Sequence, residues 1–523
     1  MRAEDKQRVL AEVTQRVLDN WSEDPEQAIF DTIYHERQRL EKERNQKLRK
    51  SWSGFYDGVA KEALKADTVR QRELLRAIIR RFADEVVGHF DPKVYQLATR
   101  VLPPALNLMF NAMSPLKLLQ ALPNGLTRLD NQLIVTGETE VLKKVAKLGT
   151  TVLVPTHSSN LDSILVGFGL HRLGLPPYVY GAGLNLFANK LMGFFMHNLG
   201  AYKVDRRKQA PIYKNVLKTY AGHSMEMGYH NLFFPGGTRS RSGSVEQKLK
   251  LGLLGMAGNA YIHNLRAKIE KPDIFVVPCT INYQLVLEAE TLISDHLKDV
   301  GKSRYIIEDD EFSRPKRILD FVDRMFSMHS TIHIVISRPM DVFGNPVDDE
   351  GRSIDARGRT VDRERYIQNA AGLPDLEPQR DQEYTKELST AVAHAYKRDT
   401  MFKPIHLVSR TVFSLLKELN PDMDLYRLLR TGGEHDHVPL TQVYHRLERS
   451  IDQMARAKSA GRLWLDPVLA AGDPVEIMSH ALKHLSTYHH HPALVRRGDR
   501  LFHEDRNLLL FYQNRFAGHD VAV

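Results

Sequence analysis

Seven short apolar runs recur through the middle of the chain, and polar-apolar segments of helical length separate most of them. They are "QLIVTG" (132–137), "TTVLVPT" (150–156), "PPYVYGAG" (176–183), "AYKVD" (201–205), "YHNLFFPGG" (229–237), "DIFVVPCTINY" (273–283) and "TIHIVISRP" (331–339). Each is rich in β-branched or aromatic residues and too short for a buried helix, so each predicts a strand. Strands alternating with helices predict an α/β domain over 126–346, with its chemistry at the strand ends.

The flanks have a different pattern. Residues 1–125 predict helices, among them "HERQRLEKERNQKLRK" (35–50), which is charged all round and reads as a solvated helix. The stretch 94–126 is apolar but broken by Pro103, Pro104, Pro115 and Pro123, so it is no single helix. Short amphipathic helices lying in a membrane interface fit it, and so does packing on the neighbouring domain. Residues 347–384 are polar and read as a linker or long surface loop, and 385–523 predict a mainly helical C-terminal region. No fixed-period repeat stands out.

Composition narrows the partners. The 523 residues, 42% of them hydrophobic, can bury two or three domain cores. A formal net charge of +9 favours anionic partners. The excess is spread without a long Lys/Arg block, so nucleic acid is not expected, whereas phosphorylated metabolites, coenzymes and an anionic membrane surface are. The single cysteine, Cys279, excludes an internal disulfide framework and lies in an apolar run, where it reads as a core side chain. The N-terminus reads as a charged helix with no apolar signal region, and no run approaches the ~18–20 apolar residues of a membrane span. Any membrane contact is therefore expected to be peripheral. The histidines of "EHDHVP" (434–439) and "YHHHP" (488–492) lack a familiar ligand spacing, so no metal is expected.

The candidate chemistry begins in "PTHSSNLDS" (155–163), a strand-to-helix turn carrying His157 and Asp162. A neutral imidazole can take a proton from an alcohol when a carboxylate fixes its other nitrogen. Among 23 histidines such a spacing also arises by chance, and a structural histidine is its ordinary reading. Downstream, "NLGAYKVDRRK" (198–208) carries Lys203, Arg206 and Arg207. "FFPGGTRSRSG" (233–243) combines Gly236 and Gly237, which let backbone approach a ligand, with Arg239 and Arg241, which suit phosphate. "VVPCTINY" (276–283) reads as a core strand ended by Pro278.

In this order the four blocks resemble those of the glycerophospholipid acyltransferases, and most closely the bacterial membrane glycerol-3-phosphate 1-O-acyltransferases. "GAGLNLFANKLMGFFMHNLGAYKVDRR" (181–207), "NYQLVLEAETL" (282–292) and "RNLLLFYQNRFAGH" (506–519) extend the resemblance to about residues 130–520. It implies an acyltransferase-like sheet flanked by helices. It also implies that His157 is the base that deprotonates a glycerol hydroxyl, with Asp162 orienting it. The hydroxyl then attacks an acyl thioester, without an acyl-enzyme. Arg206, Arg239 and Arg241 match positions associated with the acceptor phosphate. Lys203 is an added candidate, and Gly237, Ser240 and Glu288 complete the expected substrate-binding set.

The implied reaction needs no bound cofactor. Acyl-CoA or acyl-carrier protein is the donor, and the sn-1 hydroxyl of glycerol-3-phosphate is the acceptor, giving lysophosphatidic acid for phospholipid synthesis. Lysophosphatidic acid or dihydroxyacetone phosphate is the alternative acceptor, and a non-catalytic membrane- or lipid-binding scaffold the alternative role. The expected location is peripheral, on the cytosolic face of the cell membrane. Two departures bear on substrate choice. Gly236 stands where the family usually has Glu, so either the acceptor is held differently or another carboxylate such as Glu288 takes over, and Asp205 precedes Arg206 where the bacterial enzymes are more basic.

Overall fold

A computed structural model describes residues 3–21, 23–43, 45–96, 132–184, 190–300, 330–486 and 489–521. Most of the Pro-broken 94–126 stretch lies outside them.

All seven apolar runs contribute strands to one sheet: β1 (Leu133–Gly137), β2 (Thr150–Pro155), β3 (Val179–Gly183), β4 (Ala201–Val204), β5 (Asn231–Leu232), β6 (Ile274–Asn282) and β7 (Ile332–Ile336). Their spatial order is β1-β7-β6-β2-β5-β3-β4, parallel throughout except where β6 meets β7. The central strands β2 and β6 are buried along their whole length, as continuous apolar runs covered on both faces must be. Pro278 does not end β6 but lies inside it. The antiparallel partner of β6 changes there, from an isolated bridge between Val276 and Met340 to β7 from Cys279 onward.

The N-terminal helices α1 (Ala3–Asn20), α2 (Pro25–Glu41), α3 (Gln46–Ala63) and α4 (Thr68–Val86) share one apolar core with β4 and with a later helix, Pro211–Glu226. Val13, Ile29, Ile79 and Phe82 from the bundle meet Tyr202, Tyr213 and Val216 in that core. The charged stretch 35–50 is not a continuous solvated helix. It breaks between α2 and α3, where Asn45 caps α3 by accepting the Leu48 N–H at 3.1 Å. Glu36 and Arg39 within it are buried and paired with each other at 2.8 Å. Glu36 also meets the Tyr56 hydroxyl and Lys208, each at 3.4 Å, tertiary contacts that a local charge pattern does not reveal.

The polar stretch after β7 is ordered as a ladder of turns. Asp341, Asp348 and Asp355, seven residues apart, each accept two backbone N–H groups, from residues two and four positions on. Asn369 repeats the pattern. Successive turns are joined by the bridges Met340–Pro346, Val347–Ser353 and Ile354–Thr360. The seven-residue spacing is in the sequence, but each unit is polar and lacks the apolar periodicity by which repeats are usually noticed. A further helix, Pro378–Arg398, begins before the expected boundary at 384.

Two glycines of this ladder share a left-handed backbone, Gly351 at φ 76° and Gly358 at φ 77°. A Cβ at 351 would lie 3.0 Å from Phe275 Cζ and 3.1 Å from Leu148 Cδ1, whereas at 358 it would meet open space. Gly358→Ala should therefore cost only the backbone strain, about 1–2 kcal/mol. Gly351→Ala should cost a further ~1 kcal/mol or more from crowding. Urea unfolding of the two variants checks this difference.

Candidate active site

Everything converges on the turn after β2. Thr156 fastens its start to the neighbouring strand: its N–H donates to Cys279 O at 2.9 Å, and its Oγ1 accepts the Ile281 N–H at 3.0 Å. Helix α5 (Asp162–Arg172) leaves the turn, and its first residue, Asp162, is fully buried. A bare carboxylate there would be costly, but this one is saturated. Its Oδ2 accepts from His157 Nδ1 at 2.8 Å and from the N–H groups of Ser158 and Ser159 at 2.7 and 2.9 Å. Its Oδ1 accepts from the Tyr283 hydroxyl at 2.5 Å.

With Nδ1–H given to Asp162, a neutral His157 ring leaves Nε2 as a free acceptor. The ring stacks on Phe234 with centroids 4.1 Å apart, which fixes its plane. Burial pushes the imidazole below its ordinary pKa; Asp162 opposes that shift, and the charges of Arg239 and Arg206 add to it. The ring is thus held in the uncharged form a general base requires. The His157 backbone is fixed as well. Its N–H donates to Glu246 Oε1 at 2.7 Å, and its carbonyl accepts the Ser240 N–H at 2.7 Å.

Arg206 and Arg239 form the positive side of the site. Burial and the neighbouring Arg239 both push Arg206 below the usual guanidinium value, although its side chain still reaches solvent. Two cations close enough to disfavour each other, beside a neutral imidazole, suit a multiply charged anion. Arg239 is steadied by Glu288, 3.2 Å away, which is itself buried and accepts from Ser159 Oγ at 2.7 Å and the Asn160 N–H at 3.0 Å. Glu288 therefore ties the turn after β2 to the arginine block.

The remaining sequence candidates divide. The Ser240 hydroxyl donates to Ser244 O at 2.6 Å, so Ser240 contributes through its backbone to His157 and closes its own loop. Gly237 leaves room for Lys250, whose Nζ would be 2.7 Å from a Cβ there. Arg241 turns to Asp299. Lys203 lies on β4, where its charge depresses His197 rather than His157.

Sequence reasoning missed Tyr283, Phe234, Glu246 and Arg515. Tyr283 follows β6 directly, and a tyrosine at a buried strand end was the available signal. Glu246 carries no motif. A Cβ at position 236 would lie 3.0 Å from Glu246 Cγ and 3.3 Å from its Oε1, so Glu246 fills the space that Gly236 leaves. Burial pushes its carboxyl up to about 7. The carboxylate beside Gly236 is thus Glu246, while Glu288 is committed to Ser159, Asn160 and Arg239. Behind the turn, Ser158, Tyr283, Val286, Phe511, Tyr512 and Arg515 line a narrow cavity closed by the C-terminal region. Arg515 donates to Asn282 Oδ1 at 2.7 Å, and burial pushes it down to about 10.

Comparison with known proteins agrees with this geometry. Residues 134–282 match the family model "Acyltransferase". A glycerol-3-phosphate acyltransferase of Pseudomonas fluorescens is 32% identical over 171 residues, which is 32% of this chain and 20% of that protein. A dihydroxyacetone phosphate acyltransferase of Oryctolagus cuniculus is 31% identical over 165 residues, 31% of this chain and 23% of that protein. The chain thus spans about a fifth of the length of the curated relatives it matches. The solved structure of the 1-acyl-sn-glycerophosphate (LPA) acyltransferase PlsC from Thermotoga maritima aligns over 57% of this chain and 91% of that one. Its identity is 16% and its TM-score 0.26. The His157–Asp162 pair and the arginine blocks all lie within residues 134–282, the part of the chain that matches the acyltransferase family model.

Proposed function

We propose that the protein transfers a fatty acyl group from an acyl thioester to the sn-1 hydroxyl of glycerol-3-phosphate. The observation that carries this reading is a buried histidine whose Nδ1 lies 2.8 Å from a saturated carboxylate and whose pKa is lowered by burial and by the nearby charges of Arg239 and Arg206. His157 Nε2 accepts the proton of the acceptor hydroxyl as its oxygen attacks the thioester carbonyl. The tetrahedral intermediate expels the thiolate, which takes the proton back from the imidazolium and leaves as the free thiol. One ester forms, one thioester breaks, and no group becomes attached to the enzyme. The only cysteine supports this economy: Cys279 is buried, and burial pushes its thiol far up, away from a nucleophile's range.

Arg206 and Arg239 would hold the phosphate and so place the hydroxyl at His157. Dihydroxyacetone phosphate offers the same phosphate and a hydroxyl, and a relative is named for acylating it. A panel of both acceptors and lysophosphatidic acid, with labelled palmitoyl-CoA and palmitoyl-carrier protein as donors, separates these substrates. We also place the protein peripherally on an anionic membrane surface at the cytosolic face. No helix among the described residues is long and apolar enough to cross a membrane, and the apolar stretch 94–126 is suited to lying in an interface.

His157→Ala should lower acyl transfer ~100- to 10,000-fold with an unchanged circular dichroism spectrum. Asp162→Asn should also be severe, because it disturbs both the tautomer and the turn. A folded His157→Ala protein keeping a tenth or more of the activity would contradict the mechanism.

Arg206→Ala or Arg239→Ala should raise the KM for the acceptor roughly ten- to hundredfold, the loss of one charge-assisted bond of ~1.5–3 kcal/mol. Donor KM should change little, and steady-state kinetics in both substrates checks this.

Binding to anionic liposomes should weaken in high salt without vanishing, since each well-placed basic residue adds about 1 kcal/mol. Leu108→Asp with Phe110→Asp should weaken it further. Unchanged sedimentation of that double variant at every salt concentration would move the membrane face elsewhere.

A further inference from the structure

Arg206 sits in the short loop Asp205–Lys208 between β4 and the helix Pro211–Glu226, and the loop is bolted at both ends. At one end the Asp205 N–H donates to the Tyr213 hydroxyl at 2.8 Å, and the Asp205 carboxylate takes Arg207 N–H, Nε and Nη2 at 3.0 Å each. Arg207 also reaches Glu43, after α2, at 3.2 Å. The Lys208 N–H closes the loop onto Asp205 O at 3.1 Å, and Gln209 Nε2 donates to the Arg206 carbonyl at 2.9 Å.

At the other end stands Lys208, with only 2% of its surface exposed. Its ammonium lies 2.9 Å from Glu85 of α4 and 3.4 Å from Glu36 of α2. It also lies 4.3 Å from the Trp52 ring centre and 4.6 Å from that of Phe82. Glu36 is held in turn by Arg39 at 2.8 Å and by the Tyr56 hydroxyl at 3.4 Å. A lysine gives up its water only where carboxylates and aromatic faces replace it, and here both carboxylates and the two nearer aromatic faces come from the N-terminal bundle, with Tyr213 a third face at 5.4 Å. The bundle thus grips the acyltransferase domain two residues from Arg206.

We propose that the N-terminal helices are the mount for the acceptor-phosphate site, with Lys208 a positioning residue that acts through Arg206. This rests on the assignment of Arg206 to the acceptor phosphate. The bundle supplies no group to the reaction. It fixes the loop so that the Arg206 guanidinium faces Arg239 before the acceptor arrives, and the ordering cost is met on folding rather than on binding. Residue pairs that act as one unit are strongly non-additive, and that gives the test.

In the full chain, Lys208→Met keeps the length and apolar stem and removes the charge. It should raise the acceptor KM about tenfold, part of the worth of one arginine-phosphate contact, with kcat and donor KM within about twofold. In an Arg206→Ala background the same substitution should change acceptor KM by less than about twofold. Glu85→Gln, which keeps the shape of the partner, should give the same pattern at smaller size and replaces Lys208→Met if that variant fails to fold. An unchanged acceptor KM in both single variants, or an equal rise with and without Arg206, overturns the proposal while leaving the assigned role of Arg206 intact. If Arg206→Ala itself leaves acceptor KM unchanged, the phosphate assignment is what fails, and the mount has nothing to position.

Discussion

A single buried carboxylate organises the site. Asp162 lies at the first turn of its helix, where the helix dipole favours negative charge, and it receives four hydrogen bonds from four residues. Those bonds compensate the loss of water that burial imposes. They also do structural work. Two close the turn after β2, one fixes the ring of His157, and one ties the turn to Tyr283 beyond β6. Removing the carboxylate would leave four donors without their shared acceptor group, so the turn and the histidine would lose their hold together.

From that anchor the electrostatics follow. Burial and two nearby guanidinium groups hold His157 uncharged, while Asp162 pulls the other way. A phosphate bound between Arg206 and Arg239 would cancel part of the field that depresses the imidazole. On the proposed function, substrate binding and base strength would therefore be coupled by charge. The same arrangement explains why the arginines are braced from behind, Arg239 by Glu288 and the Arg206 loop by the N-terminal bundle. Like charges stay close only when something else holds each of them.

The sheet was legible because its central strands β2, β6 and β7 are buried along their whole length and read as unbroken apolar runs, and the partly buried strands are still short β-rich runs. His157, Asp162, Arg206 and Arg239 were legible because they lie in compact blocks with a family resemblance. What the sequence hid was produced by tertiary contacts. Glu36 reads as part of a solvated helix until Lys208, far along the chain, is brought against it. Glu246 has no motif and gains its place only because Gly236 lacks a side chain. Pro278 reads as a strand end, but an antiparallel partner that changes at its position lets the strand continue through it. The turn ladder escaped notice because its seven-residue unit is built on aspartate side chains capping their own backbone, which leaves no apolar period to detect.

The central claim is that Asp162 holds His157 as a neutral base with its proton on Nδ1. Nitrogen-15 NMR of histidine-labelled protein, with the His157 signals identified by their loss in His157→Gln, reads this directly. At about pH 7 the account predicts a neutral ring, protonated at Nδ1 and bare at Nε2. An imidazolium, or a proton on Nε2, would contradict it.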